Sequence, residues 1–265
     1  MQRPQRHLQL KLLGLVSLVL ASLAFSGCRQ RKAASKSLPA LASQSWRVDV
    51  PVEVFDPAVV AVPLGATSPR PILVAIHGRG DRAEWQCGSW RGIVGSRAFV
   101  LCPRGRVSQE SNTLYGLGSL EDTERELRAA LGALKNRFEA YVAKGPVLIA
   151  GFGAGADYAT AIARQEPSFF NRVVLLGPGP VAWSPTQSQL FGTHGGKKVL
   201  FVCPDHECRE LARRGVVLTR RAGADARLSE GTNLGPFFDA AMVEAIRRDF
   251  SWLVEGDPRW TLPKP

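Results

Sequence analysis

Three groups of residues in this chain have types and spacings that chemistry could use. They are the turn Gly151-Phe152-Gly153-Ala154-Gly155, the run His77-Gly78-Arg79-Gly80, and five cysteines. The glycine turn follows Pro146-Val147-Leu148-Ile149-Ala150, an apolar run that reads as a strand buried on both faces, and precedes an alanine-rich segment with helical spacing. Strand, sharp turn and helix together serve two chemistries. In the nucleophile elbow, Gly-x-Ser-x-Gly, strained backbone presents a serine for attack; here Gly153 stands in the serine's place. In the dinucleotide fingerprint, Gly-x-Gly-x-x-Gly/Ala, backbone approaches a pyrophosphate, and Gly151, Gly153 and Ala156 fit that spacing. A third reading needs no ligand, since small residues let a strand-to-helix crossover pack tightly.

The dinucleotide alternative needs an acid at the end of the next strand, about 20 residues on, to hold a ribose. That strand, Arg172–Leu176, runs into Gly177-Pro178-Gly179-Pro180 without one. No cofactor is therefore expected. No metal is expected either, because the cysteine pairs lack the usual zinc-ligand spacing.

The elements that must position these groups are legible as alternating periods. Residues 46–55 alternate Val48, Val50, Val52 and Val54, predicting a half-buried strand, and residues 59–62 predict a second. Buried strands are expected at Ile72–Ile76, ending in His77-Gly78-Arg79-Gly80, and at residues 98–101, ending in Cys102-Pro103-Arg104-Gly105. Residues 119–142 predict a helix with Leu120, Leu127, Leu131, Leu134 and Phe138 on one face and a cap at Ser119. Beyond the glycine turn, strands are predicted at Arg172–Leu176, residues 199–202 and residues 216–218, then a last helix over residues 237–254. Two leading strands followed by alternating strand and helix imply an α/β fold with a doubly wound, mostly parallel sheet.

That order, with His77-Gly78-Arg79-Gly80 ahead of the glycine elbow, resembles the α/β-hydrolase family of esterases and lipases over residues 46–256. In that family the His-Gly-x-Gly loop supplies one oxyanion-hole amide and the residue after the nucleophile supplies the other. The resemblance implies these roles for the N–H groups of Arg79 (or Gly80) and Ala154, with Gly151 and Gly155 as the elbow glycines. The family's acid follows the strand that ends at Cys203, and Asp205 matches it. The family's histidine lies before the last helix, where Glu230-Gly231-Thr232-Asn233 puts Thr232 instead. Glycine has no attacking atom, and threonine cannot take a proton near neutral pH. The resemblance thus implies a three-layer hydrolase sandwich with a degenerate triad, acting as a binding or scaffolding protein for an acyl or anionic ligand or a partner. The alternative is a working esterase or peptidase with a non-standard nucleophile, in which His206 beside Asp205 could activate a water. Trp85 and Trp90 flank Cys87 and either line a ligand site or fill a core.

Residues 1–27 carry Arg3, Arg6, Lys11 and no acid, with an apolar run over residues 12–25. The run is shorter than the roughly 20 residues a bilayer span needs and fits a secretory signal. Its end, Ala24-Phe25-Ser26-Gly27-Cys28, resembles a bacterial lipobox, with Phe25 where a small aliphatic residue is usual. That resemblance implies lipidation of Cys28 and anchoring of an exported protein to a membrane of the bacterial cell envelope; an uncleaved anchor or an ordinary signal are the alternatives. Residues 28–45 read as a flexible tether whose cations would attract anionic headgroups, and residues 46–265 as one domain.

Four cysteines remain after Cys28, an even number that suits an oxidising compartment. Of three connectivities, Cys87 with Cys102 is the most natural. It would clip a loop to the end of the next strand, for about 3 kcal/mol in the chain-entropy model. Cys203 with Cys208 would close a tighter ring. Loss of the signal's three cations lowers the net charge from +11 to +8. That charge is dispersed among arginines, with no basic block interleaved with aromatics, so nucleic acid is not an expected partner.

Overall fold

Apolar runs bounded by turn residues assemble into one eight-stranded sheet in the computed structural model, which describes residues 37–108, 111–178, 183–229 and 237–261. The expected signal, Cys28 and Thr232 lie outside the described residues. The strands are β1 (Arg47–Val52), β2 (Phe55–Ala61), β3 (Ile72–Ile76), β4 (Phe99–Cys102), β7 (Leu148–Phe152), β8 (Arg172–Leu176), β9 (Lys198–Val202) and β10 (Asp225–Ser229); β5 (Arg106–Ser108) and β6 (Ser111–Gly116) form a separate hairpin. The order across the sheet is β1-β2-β4-β3-β7-β8-β9-β10. Strand β2 is antiparallel to both neighbours, and every pairing from β4 to β10 is parallel.

Helices cover both faces, so β3, β4 and β8 are buried along their whole length. On one face lie α1 (Ala83–Val94) and α6 (Ala240–Val254). On the other lie α2 (Leu120–Arg137), α3 (Ala154–Gln165), α4 (Pro185–Thr193) and α5 (His206–Arg221). This is the three-layer, mostly parallel arrangement that the alternation implied.

The strand expected at residues 216–218 is instead the end of α5. Val216-Val217-Leu218 has β-forming residues, but the burial period is helical, with Cys208, Ala212, Gly215 and Thr219 inward and Val217 47% exposed. The last strand is β10, hidden in the sequence because it sits at the sheet edge and alternates exposed Asp225 and Arg227 with buried Ala226 and Ser229. The leading strand ends at Val52: Val54, at φ 58°, is the exposed tip of a hairpin, and Phe55 already belongs to β2. Cys87 lies on α1 rather than in a loop.

Other expectations hold with shifted ends. The Ser119 hydroxyl accepts the Asp122 N–H at 3.1 Å and starts α2, which gives way to a short 3-10 turn at Glu139–Tyr141. Helix α6 starts at Ala240, capped by Asp239. Both disulfides form, Cys87–Cys102 and Cys203–Cys208. The segment expected to be a tether is bound to the domain over its last residues. Leu38 and Leu41 donate to the carbonyls of Thr67 and Ala66, and Leu41 is buried in the core.

Candidate active site at the glycine elbow

Strand β7 ends against a turn that only small residues permit. A methyl group on Gly151 would collide with the Gly155 carbonyl, and one on Gly155 with the carbonyls of Ile76 and His77. These two glycines let α3 pack directly on the ends of β3 and β7. Gly153 is different. It has φ 54° and ψ −122°, a conformation open to glycine and costly for other residues, yet a methyl group there would have nothing within 4 Å. Its N–H is tied to the Leu176 carbonyl at 2.8 Å, which fixes the turn to β8. The backbone that would hold a nucleophile upright is therefore present, in open space, without a side chain.

Ala154 is the first residue of α3, so its N–H has no carbonyl partner within the helix and lies at the positive end of the helix dipole. The neighbouring loop follows β3. Because Ile76 pairs with Gly151, the loop that carries Arg79 and the start of α3 at Ala154 leave the C-terminal end of the sheet from neighbouring strands. Gly80 donates its N–H to the Tyr115 carbonyl at 3.0 Å, and Tyr115 donates back to Asp81, so the Gly80 amide is already engaged. The Arg79 N–H makes no backbone hydrogen bond among the described residues.

Buried polar groups fix this loop. His77 is fully buried, with Nδ1 2.7 Å from the Gly78 carbonyl and Nε2 2.8 Å from that of Arg104. Arg104 donates to Glu84 at 2.5 Å, to Asp49 at 3.1 Å and to the Pro57 carbonyl at 2.8 Å, joining β1, β2 and α1. Burial pulls the Arg104 pKa down, but Glu84 and Asp49 outweigh it and hold the guanidinium above its ordinary value. Burial likewise raises the Glu84 carboxyl, yet Arg104 and Arg82 bring it below the usual range. Glu126 accepts the Gly105 N–H at 2.9 Å; burial raises its pKa, offset in part by the amides of Gly105 and Arg104 and by His77.

The acid and base positions look different. Asp205 follows β9 at the same end of the sheet, two strands from β7 and so about 10 Å across. It is exposed and caps α5, its Oδ1 accepting the Cys208 N–H at 2.8 Å. His206 has an 81% exposed side chain, 3.9 Å from Glu210. His194 follows α4 and precedes β9, at the opposite end of the sheet. Tyr158 and Thr160 donate their hydroxyls to the carbonyls of Gly118 and Ala156 and are not substitutes for a nucleophile.

Beside the elbow lies a cavity of about 410 Å³, walled by Trp85, Phe152, Phe237 and Phe238, with Arg79 and Ser89 at its polar side. Phe152 stacks on Phe238 with ring centres 6.1 Å apart. Of the two tryptophans around Cys87, Trp85 is 56% exposed and lines this cavity, whereas Trp90, 1% exposed, is core. Among the described residues no group of three or more His, Cys, Asp or Glu is placed to hold a metal ion.

No family model and no curated protein matches the chain. Solved structures do. The carboxylesterase EstE1, cloned from a metagenomic library, superposes with a TM-score of 0.57 at 19% identity, over 82% of this chain and 91% of that one. Esterase PE8 gives 0.56 at 16% identity, over 78% and 100%. The Pyrobaculum calidifontis esterase gives 0.54 at 17% identity, over 78% and 83%. The chain has the α/β-hydrolase fold.

Within the hydrolase fold, Gly151, Gly153, Ala154, Gly155, Arg79 and Asp205 all lie at the C-terminal ends of the parallel strands. Arg104, Glu126 and Tyr115, which hold the loop after β3 and its neighbour after β4, were not legible, because their partners are 20 or more residues away and mostly backbone atoms. The last helix, predicted from residue 237, starts at Ala240, and Phe237 and Phe238 are the cavity wall before it.

Proposed function

We propose that this chain is a catalytically degenerate hydrolase-fold protein that binds an acyl or anionic group at the elbow without cleaving it. The observation that carries this is Gly153, with nucleophile-type backbone angles and open space where the side chain would be. A bound carboxylate would take hydrogen bonds from the Arg79 and Ala154 amides and gain from the helix dipole of α3. Its apolar part would lie against Trp85, Phe152 and Phe238. No step follows, since acyl transfer needs an attacking atom and a proton acceptor. His77 has both ring nitrogens facing backbone carbonyls, and His206 faces solvent.

The N-terminal pattern supports the further reading that the domain is held at a bacterial cell-envelope membrane through lipidated Cys28. Metabolic labelling with palmitate, lost in Cys28→Ser, tests that part. Calorimetric titration with short carboxylates and phosphates tests the binding site: heat and a thermal shift are expected. Their absence removes the binding reading, and turnover of a short acyl ester that Asp205→Ala abolishes would replace it with a working hydrolase. Gly153→Ser combined with Thr232→His is expected to create weak ester hydrolysis that the parent chain lacks, checked by release of a chromogenic alcohol.

A further inference from the structure

A second cavity, about 550 Å³, opens at the other end of the sheet. Ile72, the first residue of β3, and Val147, just before β7, form its floor with Val142 and Phe169. It is thus separated from the elbow by the full length of both strands. Two exposed lysines, Lys135 and Lys144, stand at its rim with one acid, Glu139. Neither lysine has an ion-pair partner among the described residues, and Lys135 Nζ lies 5.4 Å from the centre of the Phe169 ring.

A buried arginine precedes the cavity's floor in the chain, two residues before Ile72. Arg70 is hydrogen-bonded through its backbone to Tyr141 and Ala143, which continue into the cavity lining. It is 6% exposed, its Nε has no hydrogen-bond partner, and burial holds its pKa below the ordinary value. A buried guanidinium without a carboxylate leaves positive potential that a fixed anion would offset. An apolar floor with two lysines at its rim that have no ion-pair partner among the described residues describes the complement of a chain with one acidic head.

We propose that this cavity binds a long-chain fatty acid, its alkyl chain against Ile72, Val142, Val147 and Phe169 and its carboxylate on Lys135 and Lys144. The site is independent of the elbow and stands whether or not the elbow binds anything. Alkyl burial makes affinity depend on length, about fourfold weaker for each methylene removed while the chain fits the cavity. The carboxylate makes it depend on the lysines.

Photo-crosslinking of a diazirine-bearing sixteen-carbon fatty acid to the full-length chain, with peptide mapping, tests this directly. Label is expected on residues 135–147 and 168–169, displaced by unlabelled palmitate more effectively than by octanoate. Lys135→Glu with Lys144→Glu should lower labelling at least about tenfold while leaving carboxylate titration at the elbow unchanged. Both lysines are exposed, so the fold tolerates the change; circular dichroism checks it. Label concentrated on Trp85, Phe237 or Phe238, equal displacement by both acids, or labelling unaffected by the double reversal would each overturn the proposal. Should the double variant unfold, the map and the chain-length comparison on the parent chain decide alone.

Discussion

On one flank of the elbow, the loop after β3 is held by His77, by the Gly80–Tyr115–Asp81 backbone bridge and by Arg104, all through inward-facing groups. On the other, Asp205 and His206 stand exposed where α5 begins, and Asp205 is occupied as a helix cap. The first flank carries the amide that the proposed function assigns to negative charge. The second keeps an acidic residue in place for a reason unrelated to proton transfer. On the proposed reading of a degenerate centre, the difference teaches that parts which double as scaffold persist, while a part useful only for reaction can be replaced.

Perturbing each flank in turn should separate these duties. The largest effect is expected at the hinge between them: Gly155→Ala drives a methyl into the carbonyls of Ile76 and His77, costing at least about 4 kcal/mol and leaving little folded protein by near-ultraviolet circular dichroism. Next, Arg104→Ala strips the counter-ion from the largely buried Glu84. A loss of about 3 kcal/mol is expected, seen as a Tm lower by roughly 10 °C. On the other flank, Asp205→Ala removes only a cap, for about 1 kcal/mol in a denaturant melt. A loss as large as that of Arg104→Ala would erase the contrast between the flanks.

The smallest effect is a pH dependence on the first flank. Burial raises the Glu126 carboxyl above its ordinary value, so the folded state holds this proton more tightly than the unfolded chain does. The folded state therefore gains from Glu126 at low pH, and that stability is lost as pH rises from about 4.3, the usual glutamate value, through the raised folded value. Glu126→Gln, which keeps an oxygen for the Gly105 N–H, should match the parent near pH 4 and melt slightly higher at pH 7.

Legibility in the sequence follows the same division. Strands β3, β4, β7 and β8 are covered on both faces, so their apolar runs announce them, and the glycine turn is a local pattern with a local cause. That the loop with Arg79 and the start of α3 leave neighbouring strands at one end follows once those strands are known. What could not be read is what depends on distant partners: Arg104 reaching to Asp49, Glu126 to Gly105, Tyr115 to the loop after β3. The edge of the sheet misled for a different reason. Strand β10 needs few apolar residues because one side faces water, while Val216 and Val217 in α5 imitate a strand in composition alone.

The ring closed by Cys203–Cys208 contains Asp205, and the same Cys208 whose sulfur completes the ring donates its amide N–H to the aspartate's carboxylate. The carboxylate is consequently clamped twice, by a covalent loop and by the helix it starts. Selection for a well-formed junction alone would conserve it indefinitely. An aspartate found at this junction in a relative should therefore be counted first as masonry, and as a catalyst only once a histidine is shown within its reach.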